Sequence, residues 1–142
     1  MEKAARQGKA DLLKAFKGRT PYAFTKQKVK ISFEQTDPLP VIKVKINDGE
    51  DLYFLLDTGG PELIVDDEWA KENNLPIYAT ESGTFAGGKS APVSLSKIDK
   101  LSVNGFEIEN LPVRLLSTKR FAAVGGGKKS VVLLVLFYSI TF

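Results

Sequence analysis

Leu52-Tyr53-Phe54-Leu55-Leu56-Asp57-Thr58-Gly59-Gly60 sets five apolar residues directly before an acid, a hydroxyl and two glycines. The apolar run reads as a buried strand. An acid at the end of such a strand is costly, because a lone carboxylate taken out of water loses several kcal/mol unless it is hydrogen-bonded or shares a proton. Gly59 and Gly60 let the backbone approach closely and offer N–H groups to the carboxylate oxygens, and the Thr58 hydroxyl can brace the turn. The pattern is one for holding Asp57 in a fixed place. The plainer alternative is an Asx turn between two strands.

Outward from this stretch the pattern is β on both sides. Val41-Ile42-Lys43-Val44-Lys45-Ile46 alternates, and Asn47-Asp48-Gly49 is a strong turn signal, so a hairpin feeds Asp57. Beyond it, Leu63-Ile64-Val65 reads as a short strand. Asp66 or Asp67 can then cap a helix running through Asn74, with Glu68 in its first turn and Pro76 past its end. Gly83 to Gly88 reads as a hairpin with a mobile tip. Ile98 to Val103, Asn104-Gly105 and Phe106 to Leu116 form a second hairpin. Residues 39–116 thus hold about six strands and one short helix. On the N-terminal side, residues 2–17 read as an amphipathic helix with Ala5, Leu12, Leu13 and Phe16 on one face, closed by Gly18 and Pro21. Alternation of Val29, Ile31 and Phe33 predicts one more strand, from Val29 to Phe33.

Composition narrows the chemistry. The 142 residues, 43% apolar, suit one compact domain with a core of its own. With no cysteine and no histidine, a Ser-His-Asp triad and a Cys-His dyad are excluded and a zinc centre is disfavoured. Gly125-Gly126-Gly127-Lys128-Lys129-Ser130 does not meet the spacing of a phosphate-binding loop, since Ala122 stands where its first glycine belongs. Ser94-Leu95-Ser96-Lys97 has Ser-x-x-Lys spacing, but it lies in an extended segment without companion motifs. Asp66-Asp67-Glu68 is read as helix capping rather than a metal cluster.

Residues 1–30 hold nine of the 20 Lys/Arg and only Glu2 and Asp11 as acids, so against a net +3 the remaining chain is acidic. A basic appendage of this kind solvates a helix face, and contact with nucleic acid or, weakly, with an anionic membrane surface is a second expectation. No secretory signal opens the chain. The apolar stretch Val131 to Phe142 is shorter than the roughly 20 residues a spanning helix needs, so no transmembrane segment is expected. The compartment is left open.

The Asp57 segment resembles the retropepsin-like aspartic peptidases, whose signature is an apolar strand followed by Asp-Thr/Ser-Gly and a small residue. The resemblance runs from about Pro40 to Arg120. It takes in the hairpin before the acid, the strand and helix after it, a glycine-rich flap-like hairpin at Thr84-Phe85-Ala86-Gly87-Gly88, and the later hairpin. It implies an all-β, retropepsin-like closed β domain with one short helix over residues 28–142, preceded by a basic amphipathic helix and connector over residues 1–27. It also implies an aspartic endopeptidase with no metal or cofactor, acting on a peptide or protein substrate and not on nucleic acid. Asp57, Thr58 and Gly59 would be catalytic, while Gly60, Thr84, Phe85, Ala86, Gly87 and Gly88 would bind substrate. Such chemistry needs two carboxylates sharing one proton, and this chain has one Asp-Thr-Gly, so the resemblance implies a homodimer completed by Asp57 of the partner subunit.

One departure stands out. Family members follow the last hairpin with two apolar residues and a glycine leading into a helix, a stretch that supports the catalytic loop. Here Ala123-Val124-Gly125 is a poor match, and Val131-Val132-Leu133-Leu134-Val135-Leu136 contains no glycine. Either the element is replaced, or the C-terminus is truncated or altered. The apolar tail is also a candidate interface strand in a dimer. A chain that kept the fold and lost the support would be a peptide-binding or dimerisation module rather than an enzyme.

Overall fold

The computed structural model describes residues 2–24, 28–57, 63–85, 87–119 and, for the backbone alone, 130–135. Its elements are α1 (Glu2–Ala15), β1 (Ala23–Phe24), β2 (Val41–Ile46), β3 (Leu52–Asp57), β4 (Leu63–Asp66), α2 (Asp67–Glu72), β5 (Ala79–Thr84), β6 (Ser90–Val103), β7 (Phe106–Leu116) and β8 (Ser130–Val135). The strands run in the order β1-β7-β4-β8-β3-β2-β6-β5, and an additional β6–β7 pairing links the two halves of that order into a ring. β1 and β5 lie outside the ring. The expected β architecture, with one short helix inside it and one helix before it, is therefore present.

Local chemistry explains the hairpins. Asn47 and Asp48 adopt φ of 49° and 59°, and Gly49 N donates to Ile46 O at 2.9 Å. These are the left-handed central residues of a type I′ turn, whose twist suits a two-stranded ribbon. Asn104 (φ 46°) and Gly105 (φ 77°) repeat the device between Val103 and its register partner Phe106. Asn47 also joins its turn to β6, its Oδ1 accepting from the N–H groups of Asp99 and Lys100 at 3.0 Å each. The core fills from alternate positions: Ile42, Val44 and Ile46 of β2, Leu52 and Phe54 of β3, Leu63 and Val65 of β4, and the inward residues of β6 and β7. Val41 and Leu55 point the other way, into a small second cluster with Leu39, Tyr53 and Ile64.

Four expectations are corrected. Residues 29–33 form no strand. Only Gln35 bridges to Val41, Ile31 and Phe33 are exposed, and Lys30 O is satisfied by the Asn104 side-chain amide at 2.6 Å. Alternation predicts a strand only where a sheet edge takes up the ladder, and here a side-chain amide donates to the backbone carbonyl instead. In α1, Leu13 is 73% exposed, and the face turned to the protein is Ala5, Gly8, Leu12 and Ala15. At 3.6 residues per turn, Leu13 lies roughly 140° around the axis from Gly8. Gly8 itself is buried where the backbone of Tyr78 and Ala79 passes, and a Cβ there would stand 2.2 Å from Tyr78 O. Mid-helix glycine costs about 1 kcal/mol against alanine, and close approach is what it permits.

The third correction concerns the tail. β8 is no free interface strand, because both its edges are paired inside the chain: parallel to β3 and antiparallel to β4. A helix ends earlier than expected too, since α2 closes at Glu72 with Asn73 as C-cap and Asn74 at φ 55°.

Candidate active site

Asp57 is the last residue of β3. Leu52 and Phe54 face the core, so with period two Asp57 shares the opposite face with Tyr53 and Leu55. Asp57 is half-buried, neither sealed in the core nor projecting freely. Its strand is fixed on both sides. On one, β2 pairs Val41 with Leu55, and Leu56 N donates to Pro40 O at 2.9 Å. On the other, β8 runs parallel, pairing Leu55 with Leu133, Leu56 with Leu134 and Asp57 with Val135.

β8 then shares its far edge with β4, pairing Leu134 with Leu63, Leu133 with Ile64 and Val132 with Val65. Asp57 and Leu63 therefore stand on either side of β8, two strand spacings or roughly 10 Å apart. The apolar run that lacked the expected glycine thus occupies the supporting position beside the acid. Sequence reading saw the run and missed its place. Its length, its β-branched start and its lack of charge were the available signal, but nothing local names the partner strands.

Behind the site Asp66 forms a latch. It is N-cap of α2 and 6% exposed, and its Oδ2 accepts from Trp69 N at 3.1 Å. Its Oδ1 accepts from Thr118 N at 2.9 Å and from Thr118 Oγ1 at 2.8 Å. One carboxylate thereby joins the exit of β4, the start of α2 and the chain beyond β7. Nearby, Lys119 Nζ meets Glu68 Oε1 at 2.7 Å, and that carboxylate holds the ammonium above the usual lysine value. Replacing Asp66 with Ala removes a cap worth about 1 kcal/mol and orphans buried donors at about 1–3 kcal/mol, so a loss of about 2–4 kcal/mol is expected in denaturant unfolding. The expected capping role was legible from sequence, and the bond to Thr118 was not.

The flap-like hairpin is β5 and the start of β6, registered from Ala79↔Leu95 to Thr84↔Ser90. Thr84 ends β5. Phe85, Gly87 and Gly88 form the tip, where Phe85 N donates to Lys89 O at 2.9 Å and Gly88 N to Phe85 O at 3.0 Å. Gly87 and Gly88 take φ of 88° and 73°, a region that disfavours other residues. Phe85 folds back on Gly83, whose added Cβ would lie 3.2 Å from the ring and 2.6 Å from Val93 Cγ2. Thr58, Gly59, Gly60 and Ala86 lie outside the described residues. Among the described residues β3 pairs with β2 and β8, and β5 with β6, so no ladder joins the tip to Asp57. The Ser94/Lys97 spacing makes no dyad: Ser94 bonds Thr80, and Lys97 pairs with Asp99 beneath the Phe16 ring.

A family model described as aspartyl protease matches residues 42–134, well over half of the chain. The chain belongs to the aspartyl protease family. The matched span opens in β2, contains Asp57 and the glycine-tipped hairpin, and ends inside β8, so this aspartyl protease family member carries its threaded strand within the family pattern and α1 outside it. In fold it is similar to a retropepsin-like aspartic protease from Rickettsia conorii, known from a crystal structure, with a TM-score of 0.52 and 13% identity over 82% of this chain and 80% of that one. Comparison with curated proteins gives no match. The fold is retropepsin-like, and family and fold together support a protease-type function.

Proposed function

We propose that the chain is an aspartic endopeptidase active as a homodimer, in which Asp57 of each copy supplies one carboxylate of a dyad. The observation that carries this reading is Asp57 at the end of β3, half-buried and paired with Val135 of β8, on a strand whose preceding residues, Leu52 to Leu55, are laddered to β2. A general acid–base group must hold its place to a fraction of an ångström, and a strand paired on both edges gives that. In the dimer one carboxylate is ionised and takes a proton from water. The water oxygen bonds to the scissile carbonyl carbon while the protonated carboxyl gives its proton to the carbonyl oxygen. The carboxyl that took the water's proton then gives it to the amide nitrogen as the C–N bond breaks. The other carboxylate takes the proton of one hydroxyl of the tetrahedral diol as that C=O re-forms, which leaves an amine, a carboxylic acid and the dyad with one proton again.

Thr58 and Gly59 brace the two loops and supply backbone contacts. Gly60, with Thr84, Phe85, Ala86, Gly87 and Gly88 of the hairpin, binds an extended peptide through strand-like hydrogen bonds. Binding of both copies to one substrate makes activity depend on protein concentration. Below the dimer dissociation constant, activity per chain should fall about twofold for each twofold dilution, and pepstatin should inhibit cleavage of an unfolded protein at mildly acidic pH. A chain that dimerises but neither cleaves nor answers to pepstatin is instead the peptide-binding or dimerisation module of the same fold.

A further inference from the structure

We infer that α1 is a strap on the β5–β6 hairpin: docked, it steadies the strands that carry the glycine tip, and lifted, it frees them to open. The contacts of α1 converge on this hairpin and on its continuation along β6. Gly8 rests on Tyr78 O and Ala79, where an added Cβ would come within 2.2 Å and 2.5 Å. Lys9 Nζ reaches Glu81 Oε1 at 2.7 Å, and the Phe16 ring lies 5.8 Å from the ammonium of Lys97. β5 needs such a support. It stands at the end of the strand order, paired with β6 on one edge, so α1 supplies its other described contact.

The same contact is narrow enough to release. Gly8 is the one buried residue of α1, and the Lys9–Glu81 pair, with an exposed ammonium on a half-buried carboxylate, is of small worth. Past Gly8, Leu12 borders a cavity of about 340 Å³ shared with Leu63, Leu95 and Val113 rather than a filled core. An element held by one buried residue and a few solvent-facing contacts is the kind that opens locally without global unfolding. α1 also lies outside the span shared with the family. It is thus an addition to the hairpin, and the ordinary working of that fold leaves its role open.

The strap itself stands on the structure, while the idea that the freed strands admit a peptide rests on the protease reading above. Gly8→Ala separates docking from helix formation, since alanine is the better helix former and its Cβ collides with Tyr78 O. Amide exchange across residues 79–95 should accelerate about tenfold or more, with residues 41–46 and 106–113 unchanged and helix content not reduced.

A second arm uses the absence of native cysteine: Gly8→Cys with Ala79→Cys, purified oxidised and then reduced in place. A helix lifted by about 1 Å reaches disulfide range, so exchange across 79–95 should be slow when oxidised and fast when reduced. Unchanged exchange in Gly8→Ala, an equal rise throughout the chain, or indifference to reduction each overturns the strap. Should Gly8→Ala fail to fold, the redox pair decides alone. A chain that shows the exchange pattern and cleaves nothing overturns the protease reading and supports the strap. Cleavage without the pattern does the reverse.

Discussion

A chain carrying Asp57→Asn is expected to cleave unfolded protein at least about 10³-fold more slowly than the parent, with its thermal midpoint moved by no more than a few degrees. The substitution keeps the size of the side chain and leaves the backbone pairing of Asp57 with Val135 untouched, so the fold has no reason to fail. What it removes is the carboxylate that takes a proton from water in the proposed reaction. General acid–base groups are worth about 10²–10⁴ in rate, and in a homodimer one substitution deletes both members of the pair. The proposed two-fold arrangement predicts a sharper signature than the loss itself. Parent and Asp57→Asn chains mixed in equal amounts and allowed to exchange should retain about a quarter of the activity of the same total of parent chain, because only parent–parent dimers hold two carboxylates. Retention of half would mean that each copy works alone, and retention of more than a tenth by the pure Asp57→Asn chain would remove Asp57 from the chemistry.

Sequence made the local parts of this site readable and left the long-range parts hidden, for a physical reason. The β2–β3 hairpin could be read because its information sits within 17 residues: alternation puts Ile42, Val44 and Ile46 on one face, and Asn47-Asp48 tolerates the positive φ of the turn. The same holds for Asn104-Gly105 and for Asp66 as a cap. β8 is the opposite case. Its apolar residues were conspicuous, but pairing Asp57 with Val135 closes a long loop, and no periodicity encodes which edge a distant strand will find. Residues 29–33 failed in the other direction: their alternation was genuine and no edge took it. In α1 the misplaced residue was Leu13, because hydrophobicity was weighed and closeness was not. The contact there is made by Gly8, a residue with no side chain to weigh.

The strand that sequence could not place gives the largest structural prediction. Both edges of β8 are paired, so an amide from the middle of the strand has a ladder partner whichever neighbour it faces. Leu133 is registered with Leu55 on one side and with Ile64 on the other. Leu133→Pro deletes that N–H, leaves a carbonyl without its donor, and forces a ring between two strands about 4.8 Å away on each side. An orphaned buried acceptor costs about 1–3 kcal/mol and the displaced strand adds to it, so the expected loss exceeds about 3 kcal/mol, or roughly 10 °C in Tm for a chain of this size. Set against a total stability of about 5–15 kcal/mol, this is enough to populate open forms. The damage should be felt first at Asp57, whose strand would keep β2 and lose β8. Activity should therefore fall further than the folded fraction does. Ser130→Pro is the control: it falls on the first residue of the strand, ahead of the register shift between Tyr53 and Phe54, where proline is tolerated and a loss under about 1 kcal/mol is expected. Equal effects from the two prolines would mean that β8 does not lie between β3 and β4, and the clamp on Asp57 would go with it.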